Sequence, residues 1–167
     1  VRNLCAATYA ILCDHGFLMG KKTTADSVIV SDFSEILSDK VATPMELALI
    51  FASVIESAGY NPVVAKSDNS WYVACFLTEE CMAEDVFDDM SYVAKKAAAG
   101  VGEATLIDIS GIFKGESFEK CEKNAVSFLK KSPIVDFAVD IKRARIMGIL
   151  PQSVRVKTEG GYDLVES

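Results

Sequence analysis

Five cysteines (Cys5, Cys13, Cys75, Cys81 and Cys121) and a single histidine, His15, are the groups from which thiol catalysis could be assembled. A cysteine attacks as its thiolate, which an adjacent imidazole, a cation or a helix N-terminus stabilises. Cys13-Asp14-His15 sets a thiol two residues from the imidazole. On a helix, residues two apart point in different directions, so this is a poor dyad. Cys75 falls in an alternating apolar run and reads as core filler. Cys81 falls in a loop, with no base near it in sequence. It is the candidate nucleophile for a hydrolase or acyltransferase. No CxxC pair occurs, and one histidine gives a Cys/His zinc site poor prospects. No metal and no cofactor is expected. The odd cysteine count and irregular spacing suit a reducing compartment, so a cytoplasmic protein is expected.

A second polar group is Asp140 with Arg143 and Arg145. Arginine is favoured at bidentate contacts with carboxylates. The group reads either as an internal salt-bridge network or as a docking surface for an adjoining module or an acidic partner.

Secondary structure has to position these groups. Leu4, Ala7, Ile11 and Leu12 recur at helical spacing over residues 3–15, with Gly16 as a C-cap. A short extended piece at 28–30 and a short helix at 32–37 follow. Thr43-Pro44-Met45-Glu46 is a capping box with proline at the first helical position. The run from Met45 to Ala58 is apolar almost all round and closes at Gly59, so it predicts a central, buried helix. Strands are expected at 63–65 and 70–77, with a hairpin-like connection over 66–69. Met90, Val93, Ala94 and Ala97 mark a helix ended by Gly100, and a strand covers 104–109. Phe118, Cys121, Ala125, Phe128 and Leu129 mark a helix that stops before Pro133. An extended stretch at 134–139 and a short helix at 141–147 complete the pattern.

No internal repeat, low-complexity stretch or linker interrupts it. A single α+β domain over residues 1–167 is expected, and a start at Val1 is what a piece of a longer protein would show. A chain of this length buries roughly 70% of the surface its unfolded form exposes, enough without a disulfide or metal. Lys and Arg number 17 against 24 Asp and Glu, a net charge of −7. Nonspecific nucleic-acid binding needs cations to neutralise phosphates, so it is disfavoured. The local exceptions are Lys130–Lys131, which suits a helix C-terminus, and the group Lys142, Arg143 and Arg145. No apolar run approaches the ~18 residues of a membrane span, so no membrane partner is expected. The stretch from Leu4 to Cys13 lacks a basic leader and a cleavage site, and reads as a helix rather than a signal peptide.

The order central helix, strand, strand, helix, strand resembles the transglutaminase-like (papain-like) core. A closer resemblance is to a bacterial domain of unknown function in that superfamily, often found ahead of helicase modules in long multidomain proteins. The matching stretches are Ala42 to Leu49, Glu56 to Pro62, Ser70-Trp71-Tyr72-Val73 and Leu106-Ile107-Asp108. Ala138-Val139-Asp140-Ile141, Arg143-Ala144-Arg145 and Gly148 to Pro151 follow, so the similarity runs from near Tyr9 to Pro151. The resemblance implies a buried central helix against an antiparallel sheet, with further helices.

The departures bear on function. In the family pattern the helix opens Gly-Thr-Cys, which puts the nucleophile at Pro44 in this chain. The family histidine, in Gly-His-Ala-Phe, falls on Ser70, and the remaining acid is Asp108. Proline has no nucleophile, and serine is no base near neutral pH. Pro44 does suit the first turn of a helix, where its missing N–H would be unpaired anyway. Asp108 is expected to bond a neighbouring backbone or Ser70. The remnant site is expected to be shallow, with Trp71 or Tyr72 leaning across it, and both rings are binding candidates together with Asp140, Arg143 and Arg145. The resemblance thus implies a catalytically inactive domain used for binding or assembly, with adjoining domains or another protein as partner. The alternatives are an enzyme with a displaced nucleophile such as Cys81, and a scaffold that holds helicase-type modules.

Overall fold

The computed structural model describes residues 1–20, 30–151, 154–158 and 161–165. Helix α1 (Arg2–Asp14) leads to β1 (Leu18–Met19), α2 (Phe33–Asp39), β2 (Val41–Ala42) and α3 (Pro44–Ser57). Next come β3 (Pro62–Ser67), β4 (Ser70–Phe76), β5 (Val86–Asp89), α4 (Ser91–Lys96) and β6 (Ala104–Asp108). A 3-10 helix (Ile109–Lys114) precedes α5 (Phe118–Lys131), β7 (Ile134–Asp140), α6 (Ile141–Ile146), β8 (Val154–Thr158) and β9 (Gly161–Val165). The fold is α+β around an antiparallel sheet of five strands in the order β5-β7-β3-β4-β6.

The sheet is covered on both faces, and β4 shows how. Trp71, Val73 and Cys75 join α1 and α3 in one core, while Tyr72, Ala74 and Phe76 join α4 and α5 in the other. A strand covered on both sides reads as a continuous apolar run rather than an alternating one. That is why Trp71 to Phe76 carries no polar residue.

Several elements match the sequence pattern, and some do not. Gly16 takes a positive φ just past α1, as a C-terminal cap requires. The β3–β4 connection shrinks to Asp68 and Asn69, because β3 continues to Ser67, and Asp68 adopts φ 51°. Residues 28 and 29 of the expected extended piece lie outside the described residues. The two-residue parallel pair β1–β2, the acidic strand β5, the 3-10 helix and the β8–β9 hairpin lack a periodic signal in sequence. Their lengths are too short, or their composition too polar, for periodicity to register.

Helix α3 is capped as its sequence requires. The Thr43 hydroxyl accepts from the Glu46 amide at 3.2 Å, and the Glu46 carboxylate accepts from the Thr43 amide at 2.7 Å. Thr43→Ala is therefore expected to cost about 1 kcal/mol in urea denaturation. An unchanged midpoint would show that the cap contributes nothing.

Glu46 does more than close the box. Its other oxygen accepts from the Ser31 amide at 2.9 Å, which fastens the approach to α2 onto α3. Burial opposes its charge, but the Ser31 and Thr43 amides and the Thr43 hydroxyl outweigh that and hold its carboxyl below the usual range. A depressed folded value means stabilisation that is present above the unfolded pKa of about 4.3 and lost as pH falls through the folded one. The stability difference between the wild type and Glu46→Gln should be largest near neutral pH and shrink on acidification. A difference that grows on acidification would contradict this.

Candidate functional site

Pro44, Ser70 and Asp108 come to one end of the sheet. Helix α3 turns through Gly59 directly into β3, so the two run in opposite directions. Both are about 20 Å long, at roughly 1.5 Å per helical and 3.3 Å per strand residue. The start of α3 therefore lies at the end of the sheet that carries the β3–β4 hairpin. Asp108 pairs in register with Tyr72 and ends β6 there. Pro44 reaches that end from the α3 layer, whereas alternation puts Ser70 and Asp108 on Tyr72's side.

Each of these residues has a structural occupation. Pro44 is the first residue of α3. Asp108 caps the 3-10 helix, its Oδ1 accepting from the Ser110 amide at 2.9 Å and from the Ser110 hydroxyl at 2.7 Å. The neighbouring backbone, and not Ser70, holds this acid.

Trp71 and Tyr72 are core side chains and do not lean across a surface pocket. Trp71 meets Phe137 edge-on at 5.8 Å between ring centroids, and Tyr72 stacks on Phe128 of α5 at 5.9 Å. Their strand lies inside the sheet with a helical layer on each side, so neither ring is left for a ligand. Burial, and then the Asp108 charge, push the Tyr72 hydroxyl up.

Asp140, Arg143 and Arg145 do not form one network. Asp140 is fully buried at 0% exposure and binds backbone: Oδ1 accepts from the Arg143 amide at 2.8 Å and Oδ2 from the Met82 amide at 2.6 Å. It is the N-cap of α6, so the third amide of that helix takes the oxygen that a guanidinium would need. Arg145 instead grips Glu56 of α3, Nε to Oε1 at 2.8 Å, and donates to the Ile149 carbonyl. Arg143 enters no ion pair among the described residues. Because the Arg145–Glu56 pair is about one-third exposed on each side, solvent screens it. Arg145→Ala should cost about 1 kcal/mol in denaturation, and Arg143→Ala should leave stability unchanged. Equal effects would refute this division of roles.

The thiols are mostly enclosed. Cys5, Cys75 and Cys121 are buried and Cys13 is half-buried, leaving Cys81 exposed. Contact with the Cys5 thiol and burial push Cys75 up, and burial pushes Cys121 and Cys13 up. Their raised values favour the thiol over the thiolate, whereas contact with Cys75 pushes the buried Cys5 down. Cys81 has no hydrogen-bond partner for its thiol among the described residues, and the His15 ring packs beside Phe17 at 5.5 Å. No cluster of three or more metal-ligating side chains occurs among the described residues.

A groove lined largely by apolar side chains lies on α3. Glu46, Leu49, Ile50, Ser53, Val54 and Ser57 recur at helical spacing along its outer side, opposite the sheet. They form one wall of a groove of about 480 Å³, and Val30, Phe33 and Ile36 form the other. Phe33 is 51% exposed and Val54 38%. Helix α3 is therefore central but not buried all round, because the sheet and α1 cover its inner side while α2 covers the outer side only in part. The sequence reading missed Phe33 and Val54 as surface residues and Leu49 and Ile50 as half-buried ones. The signal was an apolar helix with more apolar sides than one core can cover.

Comparison of the chain with protein-family models, with curated proteins and with solved structures found no match. No helix among the described residues is long and apolar enough to cross a membrane.

Proposed function

We propose that this domain is a binding or assembly module on a transglutaminase-like core whose catalytic cysteine and histidine positions are occupied by Pro44 and Ser70. The observation that carries the binding reading is the open apolar stripe along the outer side of α3. Exposed apolar surface in a continuous groove costs solvation unless a partner covers it, and such grooves mark interaction sites. The lost-catalysis half rests on chemistry. A proline and a serine replace the thiol and the base, and the acid serves as a helix cap. The setting proposed is a larger protein or complex, with adjoining modules, helicase-type ones among them, as the neighbours.

A photocrosslinker placed at Ser53 in the groove should join the domain to one defined neighbour, and one at Lys123 on α5 should not. Equal crosslinking from both positions would overturn the groove as the contact surface. Exposure of Cys81 favours the rival enzymatic reading, and a thiol-directed activity probe separates the two. Cys81 is expected to react no faster than a peptide thiol. Hydrolysis of an amide or ester substrate that disappears in Cys81→Ala would establish an enzyme instead.

A further inference from the structure

We infer that the α3 groove takes an amphipathic helix whose polar side carries lysine or arginine. The inference rests on the binding-module reading and adds the shape and charge of the partner.

Shape comes first. The stripe from Glu46 to Ser57 spans about three turns, or roughly 17 Å at 1.5 Å per residue. Helix α3 forms one wall along this length, and the other comes from Val30 and Ser31 together with Phe33 and Ile36 of the short α2. A helix with apolar residues at i, i+3, i+4 and i+7 presents a ridge of matching length and spacing. An extended strand would need an open sheet edge, and no strand lines the groove among the described residues.

Charge supplies the second argument. Among the described residues no lysine or arginine lines the groove, and the one acid that does, Glu46, is spent on Ser31 and Thr43. Along α2, Phe33 and Ile36 face the groove, while Asp32, Glu35 and Asp39 fall about 100° further round at 3.6 residues per turn. Glu35 and Asp39 are exposed and form an acidic rim beside the groove, while Asp32 is spent as the N-cap of α2, its Oδ1 accepting from the Ser34 amide and hydroxyl. None of them is in an ion pair among the described residues, and Lys40 at the end of α2 is the opposing charge. On the far side, Glu56 is already matched by Arg145. A chain of net charge −7 strengthens the same preference at longer range.

The probe is a fluorescein-labelled 18-residue peptide with leucine at the four ridge positions of each repeat and lysine elsewhere. Its counterpart carries glutamate in place of lysine. In fluorescence anisotropy at low salt, the lysine peptide should bind at least tenfold more tightly, and added salt should narrow the gap. Val54→Asp and Ser53→Arg should each weaken binding at least tenfold. Ser53 is exposed, so its substitution spares the core even if Val54→Asp unfolds the domain. The double variant Glu35→Lys with Asp39→Lys should erase the preference for lysine. Lysine-peptide binding that ignores both Val54→Asp and Ser53→Arg would place the peptide elsewhere and overturn the inference. Equal or tighter binding of the glutamate peptide in the groove would overturn the charge assignment while leaving the binding-module reading intact. Binding of neither peptide would overturn the helical partner, while crosslinking from Ser53 would still decide the module reading.

Discussion

Asp140→Ala is expected to destabilise the domain by about 3 kcal/mol. The carboxylate has no exposure and serves two amides on different segments, Arg143 at the start of α6 and Met82 in the loop before β5. Loss of an N-cap costs about 1 kcal/mol, and an amide left buried without an acceptor costs about 1–3 kcal/mol more. The backbone at the same residue adds a further tie, since the Asp140 amide donates to the Asp85 carbonyl at 2.9 Å. One residue therefore pins the 82–85 loop to the end of β7. Asparagine keeps one acceptor and presents an NH2 to the other amide, so Asp140→Asn should fall between, at about 2 kcal/mol. Urea denaturation orders the three proteins. Hydrogen exchange should show the Met82 amide opening first in Asp140→Asn and Asp140→Ala. If Asp140→Ala and wild type have the same midpoint, the buried carboxylate is not holding the loop.

Gly111→Ala is expected to be about as damaging, for a steric reason. Gly111 lies in the 3-10 helix against Tyr9 of α1 and Cys121 of α5, whose hydroxyl and thiol are 3.0 Å apart and buried. A Cβ at position 111 would overlap the Cys121 sulfur and stand 2.6 Å from the Tyr9 hydroxyl. The backbone φ at Gly111 is not in the positive range, so the glycine is required by space and not by conformation. Overfilling a packed core costs about 1–3 kcal/mol, and parting the hydroxyl from the thiol adds about 1 kcal/mol. The sum is about 3 kcal/mol. Cys121→Ala removes the overlapping sulfur, so in a double-mutant cycle it should recover about 1 kcal/mol or more of the Gly111→Ala loss. Strict additivity of the two substitutions would show that the sulfur is not what the new methyl meets.

The α3 groove shows where reading a helix by its pattern stops being enough. Met45 to Ala58 has apolar residues on every side, and the economical inference from that is full burial. Burial depends on how many layers a domain supplies. Here the sheet and α1 supply them on one side, and a seven-residue helix supplies part of one on the other. Val54 stays exposed and Leu49 and Ile50 only half-buried, and it is this shortage of cover that makes the outer side of α3 a candidate surface.

What the sequence determined by itself was local. The helices α1, α3 and α5, the strands β3, β4, β6 and β7, and the caps at Thr43 and Gly16 follow from periodicity and from which residues satisfy a helix end. Those signals act over a few residues, so they are legible without a partner segment. That positions 44 and 70 carry a proline and a serine, neither of them a thiol or an imidazole, was legible too, being a matter of residue type. Only the tertiary structure decided the rest. Arg145 finds Glu56 across 89 residues of chain, and Asp140 closes on Met82 across 58. Trp71 and Tyr72 become core because two helical layers close over β4. Such pairings depend on strand order and layer count, which periodicity does not encode, because every amphipathic element is compatible with many neighbours until the sheet is assembled.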